Sequence, residues 1–504
     1  MLDVKPGSNL LFDGSEWSFE LLEKARDAIE DIALNDLGLN VYQNQIEIIS
    51  AEQMLDAYSC TGLPLMYQHW SFGKHFARDE ALYRTGRQGL AYEIVINSNP
   101  CISYNMEENT MAMQTLVMAH AAFGHNHFFK NNYLFLQWTD ADGIHDYLAF
   151  AKNYIAACEE RYGLDAVEEL LDAAHALQTQ GVFRYGRPPK PTAQELEAMQ
   201  RLRDGYEAGR SLLDIWTDAT LGRNKEEEAR DAPFSARRKS LSLPQENILY
   251  FLEKHSPILH PWQRELLRIV RMLAQYFYPQ KQTKVMNEGC ATFVHYYIIN
   301  ELFSQGRLTE GAYMEMMHSH TNVVLQPEYD DPRYSGINPY ALGFAMMMDI
   351  KRICQEPTEE DRAWFPDIAG HEDWRGVLRD AWANYRDESF IQQFLSPHLM
   401  RKFKLFALVD LEDQKDLVVS QIHNRAGYKE IRRALAQQYD LAYLEPDIQV
   451  SDADLSGDRR LILTHTVRDG VHLEEENKRE VLKHLGTLWG YDVCLNAVET
   501  HVES

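Results

Sequence analysis

The chain has 504 residues, 45% of them hydrophobic, with 76 acidic against 50 basic side chains and a formal net charge of −26. That size supports two or three packed domains, and a surface so acidic repels polyanions, which argues against nucleic acid as a main partner. A spanning run of about 18 apolar residues is missing, the start shows no basic and apolar leader, and the six cysteines form no C-x-x-C pair, so the expectation is a cytoplasmic protein without a membrane span and with free thiols.

Trp17, Phe19, Leu21, Leu22, Ala25, Ala28, Ile29 and Ile32 recur at helical spacing and predict a helix within 17–40. In 90–105, alternating apolar residues, an Asn-Ser-Asn-Pro break and a further apolar piece predict strand, turn and strand. A long helix is predicted from Thr110 to Phe123, ended or bent at Gly124. Residues 143–180 read as helical, and the polar, proline-marked 185–245 as a solvated connector. Helices fill 246–400, with Asn338 placed to cap one that begins at Pro339. Strands then follow at 402–410 and 417–422, a helix at 428–439, strands at 448–450 and 460–467, a helix at 474–489 and a strand at 491–498. The predicted class is α+β. Residues 1–400 form a mainly helical region with a small β element before a His-bearing helix, and 401–504 a small C-terminal α+β domain. The latter carries no cluster of catalytic residue types and is assigned to regulation, dimerisation or partner binding.

Two distant segments place ionisable groups in apolar, helix-forming surroundings: MAHAAFGHNH at 118–127 and MNEGCATFVHY at 286–296. Buried imidazoles and carboxylates need partners, and a shared metal ion satisfies both segments at once. Glu288 and His295, seven apart, share a helix face, and the small Ala291 and Thr292 between them leave room for a ligand. His120 and His125 are roughly 140° apart on a regular helix and converge only if the helix ends or bulges at Gly124. His120, His125 and Glu288 are the candidate ligands of a divalent metal, zinc first, with iron or manganese as alternatives. The competing reading is a set of buried histidines held by ordinary hydrogen bonds. Asn126, His127, Lys130 and Asn287 are candidates for the pocket or for supporting the ligands. His318, His320 and Asn322 either present two rings to one site from an extended segment or hold a loop. His69, in an aromatic and polar stretch at 67–74, is a candidate pocket residue. Glu107 and Glu108 either cap the His helix or supply a general base, and His295 is the other candidate proton carrier.

The strings QHWSFGK (68–74), GLAYEIVINSNPCI (89–102), MEENTMAMQTLVMAHAAFGHN (106–126), FFKNNYLF (128–135), YFYPQKQTKVMNEG (276–289), HSHTNVV (318–324) and YSGINPYALGFAM (334–346) resemble the stage V sporulation protein R (SpoVR) family. The resemblance covers nearly the whole chain, the C-terminal domain included. It implies a cytoplasmic bacterial protein, first linked to spore cortex formation. Relatives in non-sporulating bacteria are often encoded near a serine protein kinase and associated with stress or stationary phase. Cys290 stands where the family usually has Trp after NEG, and His127 occupies a variable position.

A looser similarity is to the layout of gluzincin-type zinc peptidases. There an edge strand holds an extended peptide, two histidines and a later glutamate bind zinc, and the metal acidifies a water for attack on an amide. Their general-base Glu directly after the first His is replaced here by Ala121. The expected function is a metal-dependent hydrolase of a peptide or amide, with cell-wall peptide (peptidoglycan) suggested by the cortex connection. The rival is a non-catalytic regulator or scaffold working with a stress-response serine kinase system. The oligomeric state is left open.

Overall fold

The computed structural model describes residues 9–59, 67, 69, 93–184, 238, 241–328, 330–409, 418–421, 424–455 and 457–499. The predicted connector at 185–245 lies almost wholly outside them. In chain order the elements are α1 (Phe19–Asp31), β1 (Asn44–Ile49), α2 (Ala51–Ser59), β2 (Glu93–Ile96), β3 (Cys101–Met106), α3 (Met111–Met118), a π-helical turn (Ala119–His125), α4 (Asn126–Asn131) and α5 (Tyr133–Trp138). Next come α6 (Ile144–Tyr162), α7 (Leu164–Ala176), α8 (Ile248–His255), α9 (Pro261–Gln282), α10 (Lys284–Ser304), α11 (Glu310–Val323), α12 (Pro339–Gln355), α13 (Glu359–Trp364), α14 (Trp374–Asn384), α15 (Asp387–Phe394) and α16 (Pro397–Lys402). The chain continues with β4 (Ala407–Val409), β5 (Val418–Gln421), α17 (Arg425–Gln437), α18 (Leu441–Leu444), β6 (Asp447–Ala453), β7 (Leu461–Val467), α19 (Glu475–Trp489) and β8 (Val493–Glu499). The fold is α+β: a mostly helical N-terminal region and a small C-terminal α+β domain. Among the described residues, no helix is long and apolar enough to cross a membrane.

Two compact units divide the chain, one of Met1–Tyr154 with Pro279–Asp440 and one of Ile155–Tyr278 with Leu441–Ser504. In the first, a sheet of order β1-β3-β2 joins β1 to β3 in parallel and β2 to β3 antiparallel, with Glu93 opposite Asn105. The strand-turn-strand reading of 90–105 holds. β1 was not anticipated, although Ile46 and Ile48 alternate with polar residues in it.

α10 is buried nearly all round, as a helix apolar on every face must be. Its neighbours come very close. A Cβ on Gly289 would lie 2.6 Å from the backbone of Gly343 on α12, and one on Gly124 would lie 2.5 Å from the Cα of Ala291. The small residues of NEGCA therefore serve backbone-to-backbone packing, and the room expected beside Ala291 is filled by the π turn. The first residue before α10, Thr283, makes no side-chain cap. Instead Asp387, at the start of α15, accepts the amides of Val285 and Met286 at 2.8 Å each. Asn338 caps α12 as expected, accepting the amide of Tyr340.

In the second unit, β6 pairs antiparallel with β7, and β7 pairs parallel with β8. Along β7 the residues Leu461, Leu463, His465 and Val467 are buried and alternate with partly exposed ones, the period of a half-buried sheet. α19 buries Leu485, Leu488 and Trp489.

Candidate metal centre

The helix that begins at Thr110, whose hydroxyl accepts the Met113 amide, does not stop at Gly124. It widens into the π turn Ala119–His125, where the Asn126 amide reaches back to the Ala121 carbonyl five residues earlier. A π turn adds a residue to a helical repeat, so side chains five apart come onto one face. That puts His120 and His125 together, with ring centroids 4.7 Å apart. The backbone contact at Gly124 holds this turn against α10, which carries Glu288.

Glu93, His120 and His125 form a cluster whose candidate ligand atoms all lie within 4.8 Å of one another, an arrangement that can hold a metal ion. His120 Nε2 is 3.3 Å from Glu93 Oε1 and 3.9 Å from Glu288 Oε2, and His125 Nε2 is 3.6 Å from the same Glu288 oxygen. Glu93 was missed in the sequence. Its signal was a lone carboxylate inside the β-forming EIVI, placed on the face opposite Ile94 and Ile96.

Glu288 Oε2 is buried and has no hydrogen-bond partner among the described residues. A four-coordinate ion with bonds of about 2.0–2.2 Å spaces its ligand atoms roughly 3.3–3.6 Å apart. The 3.6 Å from His125 to Glu288 and the 3.3 Å from His120 to Glu93 match that spacing, the 3.9 Å from His120 to Glu288 exceeds it, and the donor set fits a divalent metal.

The atoms behind the cluster orient it. Asn287 Oδ1 lies 2.9 Å from His125 Nδ1. An amide oxygen only accepts, so Nδ1 carries the hydrogen and Nε2 is the nitrogen turned towards Glu288. His120 Nδ1 meets His295 Nδ1 at 2.9 Å, and His295 Nε2 meets His320 Nδ1 at 2.9 Å. Burial, reinforced by neighbouring imidazoles, pushes His120 and His295 well below the usual histidine range. Burial takes His320 down to about 4. Glu93 is pushed well above the carboxylate range by burial and by the charge of Glu288. Such shifts are what burial and like charges produce where no fixed cation stands beside them among the described residues.

The other sequence candidates divide. Asn126 donates to the Tyr42 carbonyl and to Asn44, and Lys130 donates to the Val41 carbonyl. His127 Nδ1 lies 3.0 Å from the Asn40 amide, and its ring meets Trp382 edge to face. These three pin α4 to the segment before β1. Glu107 and Glu108 are exposed in the turn before α3, where Glu108 accepts the Ala51 amide, and the structure does not bring them into the cluster. His318 and Asn322 are exposed and 3.2 Å apart, whereas His320 is buried. The HSH segment is helical rather than extended, so its two rings diverge. His69 is buried, and most of its stretch lies outside the described residues.

A π turn, an antiparallel strand and a buried helix thus define a mainly helical protein with a His/His/Glu cluster able to hold a metal ion. The chain belongs to the SpoVR family: it matches SpoVR like protein over residues 16–444 and the SpoVR-like C-terminal domain over 446–500. It is 56% identical over 485 residues to the protein YcgB of Escherichia coli (strain K12), covering 96% of this chain and 93% of that one. No solved structure matches it.

Proposed function

We propose that this chain is a metal-dependent hydrolase of a peptide or amide bond, with the metal held by His120, His125 and Glu288 beside the carboxylate of Glu93. The observation that supports it is the convergence of two imidazoles and two carboxylates, without a fixed positive charge among the described residues, at the contact of the π turn with α10. Zinc is the first choice of metal, with iron or manganese as alternatives for a nitrogen and oxygen donor set. When bound, such an ion polarises a carbonyl and makes a water acidic near neutral pH.

The chain's own residues supply the rest. Four candidate donors exceed the three that a catalytic site needs, so one carboxylate remains to take a proton. This answers the absence of a glutamate after His120, because the base comes from Glu93. β2 stands at the end of the described strand order, where an extended peptide can add antiparallel to it. Asn287 holds His125, and His295 holds His120, at the nitrogens turned away from the cluster.

Elemental analysis of the purified, untagged chain tests the reading, beside a His120→Ala, His125→Ala double variant. About one equivalent of metal is expected, and its loss from a variant that keeps its circular dichroism establishes the ligands. Peptides and amides, cell-wall peptides included, are then screened with the metal-loaded chain. A chain that neither holds nor takes up metal sinks the proposal in favour of a regulator of the kinase-associated kind.

A further inference from the structure

In the first unit, α11, α12, α16 and α17 surround a cavity of about 990 Å³, at the upper end of the roughly 300–1,000 Å³ of small-molecule sites. Its walls are mostly apolar, Met348, Leu399, Phe403, Ile431 and Leu435 among them. Tyr296, His320 and Phe344 form one side, with ring centroids 4.8–5.2 Å apart. The exposed lining residues include His398, Lys402 and Lys404. Lys404 is matched by Glu328 at 2.6 Å, and Arg352 by Asp349 and Asp361. The lysine at 402 has no such match among the described residues. Among the lining side chains three cations, Arg352, Lys402 and Lys404, stand against two carboxylates, Glu328 and Asp349, in a chain of net charge −26. Apolar walls under a cationic edge select an amphiphile with a negative head.

We propose that this cavity, which Lys402 and His320 both line, binds a long-chain carboxylate, its tail among the apolar walls and its head between those two side chains. The imidazole row gives such a ligand a route to the metal centre. An N···N contact of 2.9 Å needs one hydrogen between the two rings, so the contacts His120–His295 and His295–His320 run in one of two directions. In one, the hydrogens point from His120 towards His320. His120 Nε2 is then a bare lone pair, and His320 carries its hydrogen on Nε2, the nitrogen that His295 does not engage. In the other, every hydrogen is reversed and His120 Nε2 carries a hydrogen where a metal would bind. A carboxylate accepting from His320 Nε2 therefore favours the direction that readies His120. This second step rests on the metal reading above; the binding step does not.

Calorimetric titration of the full, chelator-treated chain with dodecanoate tests binding. Saturable binding is expected, weaker by about tenfold for dodecylamine and for Lys402→Glu, since one charge contact is lost or reversed. Ala434→Trp, which enlarges a half-buried lining residue, is expected to abolish it. No binding of dodecanoate, or equal binding of dodecylamine, overturns the site. Zinc titrations with and without dodecanoate then test the linkage. An affinity gain of about fivefold or more is expected in the unaltered chain, and none in His295→Gln. An unchanged zinc affinity overturns the linkage alone. A chain that takes up no zinc overturns the linkage together with the metal reading, and dodecanoate binding to the metal-free chain is decided separately.

Discussion

Two carboxylates, one in each unit, the buried Glu253 and the partly buried Glu288, show opposite solutions to the same electrostatic problem. Glu253 on α8 is 2% exposed and lies within 2.7–3.1 Å of Lys254, Arg268 and Arg271. Burial pushes its carboxyl up, but Arg271, Lys254 and Arg268 outweigh that and hold it below the usual range. Glu288 on α10 lies beside the imidazoles of His120 and His125 and, across His120, a second carboxylate. The first site carries its cations covalently and is complete as folded. The second has no such cation among the described residues and is able to take one from outside, which is how a stability element differs from a candidate binding element.

The sharpest way to break that contrast is to neutralise each carboxylate. Glu253→Gln removes the buried anion that Arg271, Lys254 and Arg268 share, with Arg268 keeping Glu265, and is expected to cost about 3 kcal/mol in chemical denaturation. Glu288→Gln, measured on metal-free protein, removes a charge with no fixed partner and is expected to stay within about 1 kcal/mol of the parent, while abolishing metal uptake. Equal losses in the two variants would show Glu288 to be structural.

Next in size is Gly289→Ala. Its Cβ would meet the Gly343 backbone at 2.6 Å, forcing α10 and α12 apart at a cost of about 1–3 kcal/mol. Because Glu288 is the preceding residue, metal affinity should fall along with the melting temperature.

A smaller effect is a pH slope. Burial raises Asp387 to about 7 from an ordinary value of 3.8, even though the amides of Val285 and Met286 pull it down. The folded chain thus holds that proton more tightly than the unfolded one. Its contribution is fully present below the ordinary value and is lost as pH rises to about 7. Asp361 has the opposite sign. Burial raises it, but hydrogen bonds from Arg352 and Thr358 win and lower it to about 2, so its stabilisation is present above 3.8 and lost as pH falls through about 2. Denaturation midpoints at pH 5 and 7.5 should differ less in Asp387→Asn than in the parent. The smallest effect expected is that of Arg433→Ala, which breaks an exposed pair with Glu430 on α17 and should change stability by under about 0.5 kcal/mol.

Local pattern and composition were enough for much of this protein. Alternation predicted the β2–β3 turn and the last three strands, helical spacing predicted α1 and α19, and the Asn-Pro pair predicted the start of α12, because these signals come from neighbouring residues. The same reasoning singled out His120, His125, Glu288 and His295, since ionisable groups in apolar runs need partners. It also named His127, Asn126 and Lys130, which prove to fasten α4 to the chain before β1. Residue type shows that a polar group needs a partner, not which partner it has. Glu93 escaped notice because its partners lie on elements distant in sequence. Tertiary structure alone decided that the helix widens into a π turn, where Gly124 lets its backbone meet Ala291. It also decided that His320 joins the imidazole row while His318 turns to solvent. Those outcomes depend on which helices approach closely, and close approach is set by packing over hundreds of residues rather than by spacing along the chain.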